Sequence, residues 1–212
     1  MANRRWKWWV AKPLVFLACL APISYLLYLG FTAQFSPNPV EDITNGTGVW
    51  TLRFIMITLA ITPIRRITGW QSPVRFRRMT GLFALFYGIL HFITYIWLDQ
   101  ALDWPGIVKD IPKRPFITMG FTAFVLMIPL ALTSTKKWIG RLGGKRWQLL
   151  HRLIYISGIA AVIHYVWKVK LDATNPIRYG LLLAVLLGIR VWFALRPRLS
   201  HSKDVVSASF RP

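Results

Sequence analysis

The 212-residue chain is 55% hydrophobic and only 16% charged, whereas soluble domains carry about 25% charged residues, which excludes an ordinary soluble domain. The net charge of +20 would suit a nucleic-acid binder, but the lysines and arginines cluster between long apolar segments, so we expect no nucleic-acid partner. The single cysteine, Cys19, excludes an internal disulfide and a cysteine-ligated metal cluster.

Six apolar segments of about 17 to 21 residues are each long enough to cross a membrane as a helix. They are predicted at residues 13–31, 48–64, 79–98, 116–135, 147–167 and 177–195. The first is interpreted as an uncleaved transmembrane helix, because no small-residue cleavage site ends it. The sequence therefore predicts an all-α integral membrane protein with a six-transmembrane-helix bundle over residues 13–195, between a basic N-terminus (1–12) and a polar tail (196–212).

The distribution of positive charge predicts how this bundle is oriented. Twenty lysines and arginines fall on the side that carries both termini, and seven fall on the opposite side. Lysine and arginine are enriched on the cytoplasmic side of membrane proteins. Both termini are therefore predicted to be cytoplasmic, and the polar segments 32–47 and 99–115 are predicted to be outward-facing loops.

Three of the four histidines lie in or against apolar segments. Ionisable side chains inside a membrane are costly and usually functional, although one histidine can also simply hydrogen-bond a neighbouring helix. His91 lies about 12 residues into the third helix and His164 about 17 residues into the fifth, so both reach the outer half of the bilayer. This pair suits bis-histidine ligation of a haem iron. Gly88 and Gly158 would leave room for a flat macrocycle, or would serve plain helix packing.

His151 differs from this pair, because it lies close to the cytoplasmic face. On an ideal helix it is about 20 Å from His164 and rotated by about 140° around the axis, so the two do not share a face. It would ligate a second haem, bind a quinone headgroup or hydrogen-bond a haem propionate. His201, in the polar tail, is assigned no role.

Electrons need an external source, because the sequence has no glycine-rich dinucleotide fingerprint, phosphate loop or appended nucleotide-binding domain. They would come from a lipid-soluble quinol or from a separate reductase. The clusters Arg75–Arg78 and Lys136–Lys137 could meet anionic phosphates, but membrane topology already explains them.

A set of short stretches runs in order across residues 35–170. They are Pro39–Ile43 with Thr47–Gly48, Thr62–Arg65, Arg77–Leu82 continuing to His91–Tyr95, Lys113–Thr118, Leu132–Thr135, and Trp147–His151 continuing to Ile163–Trp167. Together they resemble the MsrQ (YedZ) family, the haem-binding membrane subunits of bacterial methionine-sulfoxide reductase systems. The first helix, the last helix and the tail resemble the family only in hydropathy and charge.

This resemblance implies a multi-pass cytochrome b of the bacterial inner membrane, related to the ferric reductases. The family's haem histidines fall on His91, His151 and His164. The resemblance also implies haem b and FMN as cofactors, although no residue of the chain locates a flavin.

The resemblance further implies an electron-transfer subunit rather than a catalytic one. It would carry electrons from the quinone pool to a periplasmic molybdopterin enzyme, which reduces methionine sulfoxide and so repairs oxidised periplasmic proteins. One alternative is a stand-alone transmembrane ferric or cupric reductase. A second alternative is a non-redox small transporter or a structural membrane partner.

Overall fold

The computed structural model describes residues 2–169 and 173–209, with side chains described for residues 8–169 and 173–196. Over these residues the chain is helical without a strand, and six helical segments are long and apolar enough to cross a membrane. These segments are Trp8–Phe31, Pro39–Thr68, Ser72–Asp99, Pro115–Leu132, Gly144–Lys168 and Thr174–Arg196. The predicted all-α, six-helix membrane architecture is confirmed.

The described residues form nine α-helices, some of which share one membrane crossing. They are α1 (Ala2–Phe31), α2 (Pro39–Thr68), α3 (Arg77–Thr94), α4 (Trp104–Lys113), α5 (Pro115–Leu132), α6 (Lys136–Leu142), α7 (Gly144–His151), α8 (Leu153–Lys168) and α9 (Thr174–Ser209). A 3-10 turn, Ser72–Phe76, leads into α3, and a π-helical turn, Tyr95–Asp99, follows it. The predicted basic N-terminus (1–12) and polar tail (196–212) are thus mostly helical, as extensions of α1 and α9. Residues 1, 170–172 and 210–212 lie outside the described chain.

Helix α2 lies at the centre of the bundle. It packs along α3 and also contacts α1, α8 and α9, while α5 packs along α8. Ile55 and Leu59 of α2 and Tyr87 of α3 are almost completely buried. The outer helices instead expose large apolar side chains such as Leu17 and Leu181, because lipid rather than water surrounds them. The bundle therefore places a functional site most readily around α2.

Helix α2 begins earlier in the chain than the hydropathy predicted. The helix begins at Pro39 rather than at Gly48, and the side chain of Asn38 accepts a hydrogen bond from the backbone N–H of Glu41. Asparagine before the first turn, proline inside it and acidic residues near it are a standard helix start. Part of the predicted outward loop is therefore helix, and it forms a wall of the site described below.

The predicted outward loop at 99–115 also contains a helix. Helix α4 is amphipathic: Ile107 is buried against the bundle, while Trp104 and Val108 are exposed. Exposed tryptophan beside polar residues is typical of a helix at the membrane–water interface. Because the segment is short and polar on average, hydropathy alone could not distinguish this helix from a loop.

The fifth membrane crossing is broken at Arg152, between α7 and α8. The N–H of Arg152 bonds to the carbonyl of Leu149, and the N–H of Tyr155 bonds to the carbonyl of Arg152, so this turn is wound more tightly than an α-helix. The predicted continuous helix over 147–167 is therefore interrupted. The ideal-helix rotation between His151 and His164 does not apply unchanged across this break.

Prolines inside two spans leave backbone defects that side chains of other helices repair. Pro63 cannot donate a hydrogen bond to the carbonyl of Leu59, and the guanidinium of Arg190 donates to that carbonyl instead, at 2.6 Å. The same guanidinium donates to the hydroxyl of Tyr155 at 2.9 Å. In lipid an unsatisfied carbonyl is costly, so this arginine inside α9 has a structural role.

A similar repair connects α1 to the bundle next to Pro22. The hydroxyl of Tyr87 donates to the carbonyl of Cys19 at 2.9 Å and accepts from the N–H of Ile23 at 3.1 Å. These two backbone groups would otherwise bond to each other within the helix. The hydroxyl is therefore inserted into the hydrogen-bond ladder of α1.

Tyr87→Phe is expected to loosen α1, because the inserted hydroxyl is lost while the ring that fills the core remains. Intramembrane hydrogen bonds contribute about 0.6 to 2 kcal/mol, so we expect a destabilisation of about 1 kcal/mol, measured by reversible unfolding in mixed micelles. Tyr25→Phe is the matched control, since Tyr25 is an exposed tyrosine of α1. Equal stability of the two variants would contradict the inserted hydrogen bond.

Candidate functional site

His91 of α3 contacts the N-terminal part of α2. Its Nδ1 lies 2.9 Å from the carbonyl oxygen of Thr44. A carbonyl oxygen can only accept, so Nδ1 carries the ring proton and donates it, which leaves the lone pair of Nε2 available. The ring also lies against Gly48, where a Cβ atom would come within 2.9 Å of its Cε1. The early start of α2 is what supplies both features.

His164 of α8 meets the start of α5 in the same manner. Its Nδ1 donates to the carbonyl of Phe116 at 2.6 Å, and its Nε2 is therefore also the unprotonated nitrogen. A Cβ atom on Gly120 would come within 2.6 Å of its Nδ1. Each histidine thus occupies a notch formed by a backbone carbonyl and the glycine four residues further along the same helix, and we call these the carbonyl–glycine notches.

The two imidazole rings lie close together inside the bundle. Their ring centres are 6.0 Å apart and their planes are inclined by 76°. Two imidazoles bound to opposite faces of one iron have ring centres about 6 Å apart, because metal–nitrogen bonds are about 2 Å long. The spacing is therefore that of a bis-histidine metal site.

Both histidines line one cavity of about 650 Å³ between α2, α3, α5 and α8. Sites for cofactor-sized molecules have volumes of about 300 to 1,000 Å³. Its inner walls are apolar and aromatic, and they include Phe92 and Phe124, whose rings stack at 4.9 Å. Its lining also carries charged side chains, from Glu41, Asp99, Arg114 and Lys168, at the end of the cavity predicted to be outward.

The donor set fits haem iron better than a bare metal ion. Within the described residues no group of three histidine, cysteine, aspartate or glutamate side chains gathers to hold a metal. Two imidazoles are too few ligands for a bare metal ion. A haem iron needs only these two from the protein, because the macrocycle supplies the other nitrogen ligands. The carbonyl acceptors behind each Nδ1 fix the tautomer and orientation of each ring, as the partners of metal-bound histidines usually do.

The two glycines singled out in the sequence have different surroundings. Gly88 lines the cavity, and a Cβ there would come within 3.1 Å of the Met127 side chain. Gly158 does not line it; its Cβ position has ordinary contacts with Ile55, Leu59 and Leu183, as expected of helix packing. The glycines against the histidine rings, Gly48 and Gly120, were not identified as site residues. They could have been found in the sequence by looking, in the other apolar segments, for a glycine at the same predicted depth as each histidine.

His151 lies outside this cavity, at the end of α7. Its ring stacks on Trp147 at 3.9 Å, and its Nδ1 donates to the carbonyl of Trp147 at 3.0 Å. The indole of Trp147 in turn donates to the carbonyl of Thr133 at 2.8 Å. The Nε2 of His151 is buried without a hydrogen-bond partner in the described part of the chain. His151 therefore has a free nitrogen as well, but the structure does not bring it to the other two histidines.

Comparisons with known proteins place the chain among membrane proteins of one family. Residues 47–162 match the family model of the ferric reductase like transmembrane component. The chain is 50% identical over 189 residues to the "Protein-methionine-sulfoxide reductase heme-binding subunit MsrQ" of Herminiimonas arsenicoxydans, covering 88% of this chain and 87% of that protein. It is also 50% identical to the protein of that name from Ralstonia nicotianae, over 86% of this chain and 85% of that protein. The protein of that name from Polaromonas naphthalenivorans is 47% identical, over 91% of this chain and 90% of that protein.

Proposed function

The chain belongs to the MsrQ family of ferric-reductase-like membrane proteins, and from this premise we propose that it is the b-type cytochrome subunit of a methionine-sulfoxide reductase system. The observation that carries the proposal is the close pair of His91 and His164 at 6.0 Å in one cavity. The relatives are named as haem-binding subunits, and this pair is the donor set that would hold a haem here.

In this proposal Nε2 of His91 and Nε2 of His164 would hold the haem iron. Haem b, when bound, supplies one-electron redox chemistry. The carbonyls of Thr44 and Phe116 fix the tautomer and the orientation of the two imidazoles. The apolar walls would keep water away from a bound haem, and the glycines of the two notches let the rings approach the helices closely.

The proposed electron path crosses the bacterial inner membrane towards the periplasm. The donor is a quinol of the membrane, and the acceptor is a periplasmic molybdopterin-containing methionine-sulfoxide reductase. The excess of positive charge on the side of the termini supports cytoplasmic termini, which puts the outward end of the cavity on the periplasmic side. FMN, which the family resemblance implies, is assigned no residue.

His151 belongs to the inward half of this path. Its buried Nε2 lacks a partner among the described residues, and a buried acceptor without a partner is costly. Either the iron of a second haem or the hydroxyl of a quinol headgroup would satisfy it. Haem stoichiometry decides between these two, since a second haem gives two irons per chain and a quinol site gives one.

A reconstituted electron-transfer assay tests the proposed function. In proteoliposomes, a quinol analogue is expected to produce the reduced haem spectrum, and the periplasmic molybdoenzyme with methionine sulfoxide is expected to return it to the oxidised form. The measurement is the haem absorbance with time after each addition. Oxidation by a ferric chelate but not by the molybdoenzyme would favour the stand-alone metalloreductase instead. Lack of any haem spectrum would favour a non-redox role.

A further inference from the structure

Lys168 is a cationic side chain inside the cavity. It follows His164 by four residues on α8, so it lies on the same helix face about 6 Å further outward. It lines the cavity and is partly buried. Its ammonium donates to Oδ1 of Asn45, and Nδ2 of Asn45 donates to Glu41 at 3.4 Å. Asn45 is thus oriented by Glu41 and directs Lys168 towards the cavity mouth.

This ammonium has no carboxylate within ion-pair distance among the described residues. The one ion pair found there joins Arg114 to Asp110, at 3.1 Å. Glu41 and Asp99 line the same cavity and attract Lys168 electrostatically, but neither makes an ion pair with it in the described part of the chain. A partly buried cation without a counter-ion is unfavourable. Arg114 is paired with Asp110, whereas Lys168 has no direct ion-pair partner among the described residues and is available to bind an anion at the cavity mouth.

We propose that Lys168 binds a propionate of the haem held by His91 and His164, and so turns the carboxylate edge of the haem outward. This inference rests on the proposed function. Haem is an anionic ligand with two carboxylates, and the polar mouth that holds Lys168 is one helical turn from the ligand His164. The apolar inner walls accept the rest of the macrocycle. Lys168 is then a positioning residue rather than a ligand of the iron.

Two consequences follow from an ammonium at this position. A hydrogen bond between charged groups contributes more than a neutral one, so Lys168 increases haem affinity. A nearby positive charge also favours the reduced iron, which carries one positive charge less, so Lys168 raises the midpoint potential. The exposed carboxylate edge then lies towards the periplasmic side, where the electron acceptor docks.

The test compares Lys168→Met and Lys168→Arg in the full chain produced under haem limitation. Haemin and haemin dimethyl ester, whose propionates are uncharged, are titrated into each protein in detergent. For Lys168→Met we expect about tenfold weaker haemin binding, a lower midpoint potential and an unchanged low-spin spectrum. Lys168→Arg is expected to stay close to the unaltered protein. Lys113→Met is the control, because Lys113 is exposed and does not line the cavity.

The ester separates a propionate contact from a merely structural role. The unaltered protein is expected to bind the ester about tenfold more weakly than haemin, and Lys168→Met is expected to cause no further loss with the ester. An equal loss with both ligands would overturn the inference, and so would unchanged haemin affinity and potential. If the unaltered chain bound no haemin, or if His91→Ala kept the low-spin spectrum of the haem between His91 and His164, the proposed function itself would fail.

Discussion

His91→Ala and His164→Ala are each expected to abolish the low-spin haem spectrum of the outward site. Each substitution removes one of two axial ligands, and no third ligand group is gathered in the described residues that could replace it. The remaining imidazole would leave a five-coordinate, high-spin iron or an empty site. The measurement is the absorption spectrum of the purified variants, oxidised and reduced, with iron counted per chain.

His151→Ala is the comparison variant for this prediction. His151 lies outside the cavity and stacks on Trp147, so its removal is expected to leave the low-spin haem of His91 and His164 in place. If His151 ligates a second haem, the variant loses that haem alone. The pairing would be wrong if His151→Ala removed all haem while His91→Ala and His164→Ala both retained it.

Loss of haem is also expected to reduce stability. A ligand that binds only the folded state stabilises it by about 2.7 kcal/mol at a concentration one hundred times its dissociation constant. His91→Ala and His164→Ala should therefore unfold at a lower temperature than the haem-loaded unaltered protein. Their unfolding temperatures should be about equal to that of the unaltered chain without haem. This comparison distinguishes a missing cofactor from a misfolded bundle.

Gly120→Ala is expected to weaken haem binding although it changes no ligand. The new Cβ would lie 2.6 Å from Nδ1 and 2.9 Å from Cε1 of His164, so the imidazole must move. Movement breaks the 2.6 Å hydrogen bond to the carbonyl of Phe116 and tilts Nε2 away from the iron. Overpacking typically costs about 1 to 3 kcal/mol, which corresponds to about a five- to 150-fold loss of haem affinity.

The control for this substitution is Gly140→Ala on α6. A Cβ there has no neighbour within 4 Å, and alanine is the better helix former, so no loss of haem is expected. Haemin titration and the fraction of low-spin iron are the measurements. If Gly120→Ala and Gly140→Ala had the same haemin affinity and the same spectrum, the role of the carbonyl–glycine notch at His164 would be contradicted.

Much of the fold was predictable because lipid imposes a simple rule on each segment separately. A crossing helix needs about 20 apolar residues, and hydropathy therefore located six spans. The start of α2 carried a readable signal as well, in Asn38 followed by Pro39 and Glu41. The break at Arg152 carried none, since neither proline nor glycine stands there.

The candidate site was predictable only in part. Depth along the helices paired His91 with His164, and the structure places their rings in one cavity; their ligation of iron stays a proposal. The acceptors behind the rings, the carbonyls of Thr44 and Phe116, come from helices far away in the sequence. The packing of the whole bundle determines which helices are neighbours. The residues around each histidine do not predict this.

The electron paramagnetic resonance spectrum of the oxidised, purified chain tests the central claim most directly, because it reports the axial ligands of the iron. A haem between His91 and His164 is predicted to give a low-spin ferric signal, with the strong anisotropy expected of imidazole planes inclined by 76°. This signal should disappear in His91→Ala and in His164→Ala. A purely high-spin signal, or no haem signal even after haem supplementation, would contradict bis-histidine ligation and the proposed cytochrome function with it.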